Sequence, residues 1–238
     1  MLDFIGAIFV ATLLAAVIGT LAGLMPVRPV ARIGLFAAAV VWMVAVSTTI
    51  GFGWLTPEAP GPVPTSLIPF AGTLVLLFGG GLLVPSFRTA VAALPMAALV
   101  GLNVARLGGV FFLLLEAQGR LSAPFASSAG WGDILTGALA IPLTAALLLG
   151  HAPRRSWLAL WNGFGALDLL VAVTIGLFSA AGTPFRFFED GPGIAAMTAL
   201  PWAMVPSVLV PTLLFIHFTV AVKLGGAPRA AATRPMHA

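Results

Sequence analysis

Residues 90–115 read AVAALPMAALVGLNVARLGGVFFLLL, a long apolar run with one charged side chain, Arg106. A helix that crosses a membrane needs about 20 consecutive, mostly apolar residues, and this run is longer than that. In lipid, only a helix or a closed barrel satisfies the hydrogen bonds of its own backbone. Barrel strands alternate apolar and polar residues, which this run does not. The stretch therefore predicts a transmembrane helix.

Similar apolar runs lie on both sides of this stretch, separated by charged or Pro-rich breaks. The seven predicted spans are residues 4–25, 33–54, 67–87, 90–115, 132–150, 157–180 and 200–222. The whole chain agrees, since 60% of its residues are apolar, 8% are charged and its mean hydropathy is +1.11. Soluble domains carry about a quarter charged residues. We therefore predict an all-α membrane protein, a bundle of seven transmembrane helices over residues 1–223, followed by a disordered tail over 224–238.

The basic residues between the spans predict the orientation. Most of them fall in loops on one side of the predicted bundle: Arg28, Arg32, Arg88, Arg154, Arg155, Lys223, Arg229 and Arg234. Such loops stay in the cytoplasm, so we expect an outer N-terminus and a cytoplasmic C-terminus in a bacterial-type inner membrane. The same pattern accounts for the net charge of +4 without a nucleic-acid partner. Trp54, Trp131, Trp157 and Trp202 fall at predicted span ends, where aromatic belts form.

Several chemistries are disfavoured. The chain has no cysteine, which excludes disulfides, thiolate metal sites and cysteine nucleophiles. Retinal needs a buried lysine, whereas the single lysine, Lys223, ends the last predicted span. A haem held by two histidines is disfavoured because His217 has no second histidine at its depth. No motif of a metalloprotease, phosphate-binding loop or serine hydrolase is present.

Two charged residues are predicted deep in the membrane, Arg106 in span four and Asp168 in span six. At about 1.5 Å of rise per residue, they differ in depth by roughly one helical turn. Charges at this depth face protein or water, so we predict that the two side chains pair inside the bundle. Asp133, at the predicted outer end of span five, is an alternative partner for Arg106. The pair is either structural or part of a gate, proton site or ligand site.

Three further polar residues complete the predicted site. Asn103 lies one turn before Arg106 and is expected to extend its polar patch. Asn162 and His217 lie at similar depth and are expected to form a second polar contact. His217 is assigned mainly to bonding between helices, with ligand binding or proton transfer as the alternative. Glycines at small-residue spacing, Gly19 and Gly23 among them, predict close helix packing.

Three functions fit these observations. The favoured one is a small transporter, channel or binding protein with a site between spans four, six and seven. The second is a non-catalytic accessory subunit of a larger membrane complex, and the third is an intramembrane enzyme using Asp168 or His217. The expected partners are the lipid bilayer and either other membrane subunits or further copies of the chain.

Overall fold

The computed structural model describes residues 1–54, 67–151 and 153–226. Over these residues the chain is helical and contains no strand. The helices are α1 (Leu2–Leu24), α2 (Pro29–Gly51), α3 (Leu67–Leu83), α4 (Pro85–Ala92), α5 (Met96–Ala117), α6 (Phe125–Leu148), α7 (Arg155–Phe178) and α8 (Val205–Gly226). Six of them are individually long and apolar enough to cross a membrane, and α3 with α4 makes a possible seventh crossing. The predicted all-α membrane fold is confirmed as far as the length and apolar composition of these helices show it.

The predicted third span does not continue to residue 87. It ends at Leu83, and α4 leaves it at an angle of 100°. Proline has no backbone N–H and disfavours the helical conformation in the residue before it. Val84, which precedes Pro85, is accordingly extended, with φ −115° and ψ 94°. The predicted fourth span, 90–115, is corrected in the same way, because its first residues belong to α4 and α5 begins only at Met96.

The predicted fifth span, 132–150, begins seven residues too late. Helix α6 starts at Phe125, directly after Pro124, and continues to Leu148 without a break. The small residues of this stretch are compatible with a helix, and a helix satisfies their backbone groups in lipid. The shift moves Asp133 from the first turn of the helix to about two turns inside it. Asp133 therefore lies beyond the first turn, where the helix dipole favours an acidic side chain.

The first part of α8 is a π-helix over Val205–Leu209. Pro211 has no N–H for the carbonyl of Ser207, four residues earlier. Thr73 of α3 lies 2.7 Å from that carbonyl oxygen and donates its hydroxyl to it. Trp42 of α2 in turn donates its indole N–H to the Thr73 oxygen at 2.9 Å. The carbonyl freed by proline thus ties three helices together.

The two ends of the bundle differ in charge. One end, where α1 and α8 end and α2 begins, carries Arg28, Arg32, Arg88 and Lys223, and we call it the basic end. The opposite, acidic end carries Asp3, Glu116, Glu189 and Asp190. Trp202 lies at this end, as predicted, but not in an exposed aromatic belt: it is 1% exposed and donates its indole N–H to the Asp3 carboxylate at 2.7 Å. The Pro-rich break between the second and third predicted spans, residues 55–66, lies outside the described residues, as does the predicted tail 224–238 from residue 227 onward.

Candidate functional site

Arg106 lies near the middle of α5, in a stretch of 3₁₀-helix that runs from Leu102 to Gly109. A 3₁₀-helix has three residues per turn, so every third side chain shares a face. The buried residues of this stretch follow that period and are Asn103, Arg106 and Gly109. The local change of helix type therefore aims the one deep cation of α5 into the bundle. Such stretches inside longer helices often mark a hinge or a strained site.

Arg106 binds two carboxylates at once. Its Nε donates to Oδ1 of Asp133 in α6 at 2.6 Å, and its Nη2 donates to Oδ2 of Asp168 in α7. Its Nη1 donates to the carbonyl oxygen of Gly165 at 2.9 Å. The three charged side chains are 1%, 16% and 10% exposed, in the order Arg106, Asp133, Asp168. The guanidinium is thus enclosed, and each carboxylate keeps a small exposed fraction.

The predicted pair of Arg106 and Asp168 is confirmed as a direct ion pair. Asp133, expected only as an alternative partner, binds the same guanidinium. Both can do so because an arginine side chain presents five N–H donors in a planar fork. The structure therefore contains an ion triad, in which one positive charge faces two negative ones.

His217 and Asn162 make the second polar contact that the sequence predicts, and it is joined to the triad. Asn162 Nδ2 donates to the His217 carbonyl oxygen at 3.1 Å, and its Oδ1 lies 2.9 Å from His217 Nδ1. On its other side, His217 Nε2 lies 3.3 Å from Arg106 Nη1. Because a guanidinium can only donate, Nε2 accepts and Nδ1 carries the proton. In this arrangement the imidazole is neutral.

Asn103 is the predicted site residue that stays apart. It is fully buried, and its side-chain amide donates to the Leu99 carbonyl oxygen of its own helix at 3.0 Å. Its Oδ1 has no hydrogen-bond partner among the described residues, and the same holds for the buried hydroxyl of Thr136. A helix-period estimate put Asn103 beside Arg106 correctly, but no hydrogen bond joins it to the network.

Two glycines allow the charged groups to approach the neighbouring helices. A Cβ atom on Gly132 would overlap the Asp168 carboxylate, and one on Gly165 would lie 2.6 Å from His217 Cε1. The glycines that the sequence analysis singled out behave differently, because Gly19 and Gly23 have no atom within 4 Å of such a Cβ. The glycines that pack closely are therefore two that lie at the depth of the buried charges, Gly132 and Gly165. The small-residue spacing rule does not select them.

Small cavities adjoin the network. One of about 70 Å³ is lined by Asp133 together with apolar residues of the acidic half of the bundle, including Phe125 and Met197. Another of about 30 Å³ is lined by Arg106 and Asp133. A cavity needs roughly 10–15 Å³ to hold one water molecule, and ligand pockets measure roughly 300–1,000 Å³. These cavities have room for a few waters and not for an organic solute.

Among the described residues, no three or more His, Asp and Glu side chains converge as a metal site would require. Lys223 donates to the Ala92 carbonyl oxygen at 2.5 Å, at the basic end of the bundle. Retinal would need such a lysine in the middle of a helix.

The fold and the site together define a multi-span membrane protein with a buried network of ionisable groups at mid-depth. Residues 63–224 match the model of the family described as "Domain of unknown function (DUF8737)", and the chain belongs to this family. No curated protein and no solved structure matches the chain. The matched residues include α3 to α7, α8 as far as residue 224 and every member of the network, whereas α1 and α2 lie before them.

Proposed function

We propose that the protein binds a proton at Asp133 and Asp168 and passes it across the membrane. The observation that carries this proposal is the ion triad, since Arg106 supplies one positive charge against two carboxylates. His217 adds no charge in its neutral tautomer. An uncompensated charge at membrane depth costs roughly 3 kcal/mol or more. A proton shared by the two carboxyl groups removes that cost.

The space around the triad favours a proton over a larger ligand. The sequence allowed any small solute or ion, whereas the adjoining cavities hold only about 70 and 30 Å³. Hard metal cations take several oxygen ligands at once, and one oxygen of each triad carboxylate already accepts from Arg106. A proton needs one oxygen and can reach it along a few water molecules.

The surroundings of the triad suggest a route with one closed side. The cavity that touches Asp133 lies toward the acidic end of the bundle. Toward the basic end, a separate apolar cluster packs between the helices and consists of Val100, Ala140, Leu158 and Trp161. Passage of a proton requires this cluster to loosen, and the 3₁₀ stretch of α5 is the element suited to move. With the basic end in the cytoplasm, the site in this state faces the outside of a bacterial-type inner membrane.

Proton flux into liposomes tests this function. The protein is reconstituted with a pH-sensitive dye inside the vesicles, and a potassium gradient with valinomycin drives protons inward. We expect flux above that of empty liposomes, lost in Asp133→Asn and in Asp168→Asn. Glu116→Gln is the matched control, because Glu116 is a carboxylate of α5 outside the network. Native flux equal to that of empty liposomes, or full flux in both asparagine variants, contradicts the proposal.

A second function, that of an accessory subunit, is favoured by α2. This helix is apolar along its length, yet Val46 is its only buried residue. It also lies outside the residues that match the family. A helix that its own chain leaves uncovered suits lipid or another membrane protein. Copurification of a second polypeptide in mild detergent, lost when an exposed residue of α2 such as Val44 is replaced, would support this role over an autonomous transporter.

A further inference from the structure

A large apolar cavity lies apart from the charge network, in the half of the bundle toward the basic end. Its volume is about 500 Å³, and it is a partly open groove bordered by parts of α1 to α5 and α8. Its lining is aliphatic and aromatic, with Leu21, Trp42, Phe87 and Phe215 as large members. No residue of the network lines it. A cavity of this size and polarity suits a hydrocarbon chain and excludes polar solutes.

Two basic residues lie about one helical turn from residues that line the cavity, on the side of the basic end. Arg32 precedes the lining residue Leu35 by three positions on α2, and Lys223 follows the lining residue Thr219 by four on α8. Residues at these spacings share a helix face. Arg32 is tied by its Nη2 to the Met25 carbonyl oxygen, where α1 ends. Two helices that form the cavity therefore place a cation directly at its basic end.

Helix α4 closes the cavity at this end and adds a third cation. Its bend of 100° from α3 sets it across the bundle. Phe87 and Val91 line the cavity, whereas Arg88, between them in sequence, is exposed. Lys223 holds the end of α4 through the Ala92 carbonyl oxygen. The apolar face of α4 thus covers the cavity, and its positive face lies outward.

The charges around the cavity are of one sign. The described acidic residues lie elsewhere, either in the triad or at the acidic end: Asp3, Glu116, Asp133, Asp168, Glu189 and Asp190. No described carboxylate therefore competes for Arg32, Arg88 or Lys223 at the basic end. Such clusters beside an apolar groove between membrane helices bind anionic lipid headgroups.

We propose that this cavity holds an acyl chain of an anionic phospholipid, whose phosphate is bound by Arg32, Arg88 and Lys223. The apolar lining and the cations require one molecule that is both hydrocarbon and anionic, and the bilayer surrounds the protein with such molecules. A free phosphate would leave the cavity unfilled. A neutral hydrophobe would leave the cations without a counter-charge. This lipid site does not depend on the proposed proton site, because no residue of the network lines the cavity.

Native mass spectrometry of the protein in detergent tests the headgroup, with phosphatidylglycerol and phosphatidylcholine of equal chain length as probes. We expect tighter binding of phosphatidylglycerol. The double variant Arg32→Gln/Arg88→Gln should lose about 30-fold in affinity for it, because each basic residue near a membrane surface contributes roughly fivefold. Arg154→Gln is the matched control, since Arg154 is an exposed cation at the same end that does not adjoin the cavity.

A second pair of variants tests the cavity. Ala39 lines it, whereas Ala37 on the same helix is exposed and does not. We expect Ala39→Phe to weaken phosphatidylglycerol binding and Ala37→Phe to leave it unchanged. Equal binding of both lipids, or equal losses in Arg154→Gln and the double variant, overturns the proposal and indicates general lipid contact. Displacement of the lipid by inorganic phosphate alone, or unchanged binding in Ala39→Phe, overturns the role of the cavity.

Discussion

Arg106 Nε lies 2.6 Å from Asp133 Oδ1, although the two residues belong to different helices and are 27 positions apart in sequence. The same guanidinium binds Asp168 of a third helix and contacts His217 of a fourth. A buried ion pair is stable only where its remaining donors and acceptors are also satisfied. The position of α5 is therefore tied to those of α6, α7 and α8 through one side chain.

Removal of the guanidinium should destabilise the bundle strongly. Arg106→Ala removes the counter-charge of the buried pair Asp133 and Asp168, which costs about 3–5 kcal/mol of unfolding free energy. Asp168→Ala should also destabilise, and the double variant should lose less than the sum of the two. Equilibrium unfolding of the detergent-solubilised protein by a denaturing detergent measures these values.

The control for this cycle is Arg120→Ala. Arg120 pairs with Asp3 at 2.8 Å on the surface, and an exposed pair contributes about 0–1 kcal/mol. If the effects of Arg106→Ala and Asp168→Ala add to within about 0.5 kcal/mol, the two residues do not interact. That outcome would contradict the ion pair of Arg106 and Asp168, on which the network depends.

Gly132→Ala should be destabilising because the new methyl group would occupy space held by the Asp168 carboxylate. Overpacking of this kind costs about 1–3 kcal/mol, and here it also pushes Asp168 away from Arg106. Gly163→Ala is the comparison, since Gly163 of α7 has open space around it. The same unfolding assay should show little loss for Gly163→Ala, and equal losses in the two variants would argue against tight packing at Gly132.

His217 should be neutral and protonated on Nδ1 at neutral pH. The reason is the direction of its hydrogen bonds, in which Arg106 donates to Nε2 and Nδ1 donates to Asn162. Nitrogen-15 NMR of histidine-labelled protein distinguishes the two neutral tautomers from the imidazolium. A spectrum of the imidazolium, or of the tautomer with Nε2 protonated, would mean that Arg106 and His217 are not bonded in this way.

Thr73→Val should destabilise the contact between α2, α3 and α8. The variant leaves the Ser207 carbonyl and the Trp42 indole N–H without their shared partner. An unsatisfied buried polar group costs about 1–3 kcal/mol. Thr89→Val serves as the control, because the Thr89 hydroxyl is exposed and bonds only within its own helix, to the Pro85 carbonyl oxygen. Equal stability of both variants would contradict the role given to Thr73.

The pairing of Arg106 with Asp168 was predictable from sequence for a simple reason. A helix rises by a constant amount per residue, and lipid forces ionisable side chains inward. Counting residues from the span ends therefore places both groups at one depth. Asp133 was harder to place, because the polar and small residues before it resemble a loop, although they form the first two turns of α6.

Other features depend on contacts that a single sequence does not reveal. The break at Pro85 was visible as a proline, but the direction of α4 depends on the packing of Phe87 and Val91 against the bundle. The 3₁₀ stretch around Arg106 departs from the α-helical period that sequence counting assumes. Trp202 is buried by packing against Gly6 and Phe111, both far away in sequence.

We propose that the triad of Arg106, Asp133 and Asp168 holds one proton. Infrared spectroscopy of protein labelled with carbon-13 at the aspartate carboxyl groups tests it most directly, because protonated and ionised carboxyl groups absorb at separate positions. At neutral pH we predict a protonated-carboxyl band that shifts with the label and disappears in the double variant Asp133→Asn/Asp168→Asn. A native spectrum with ionised aspartates alone would contradict the account.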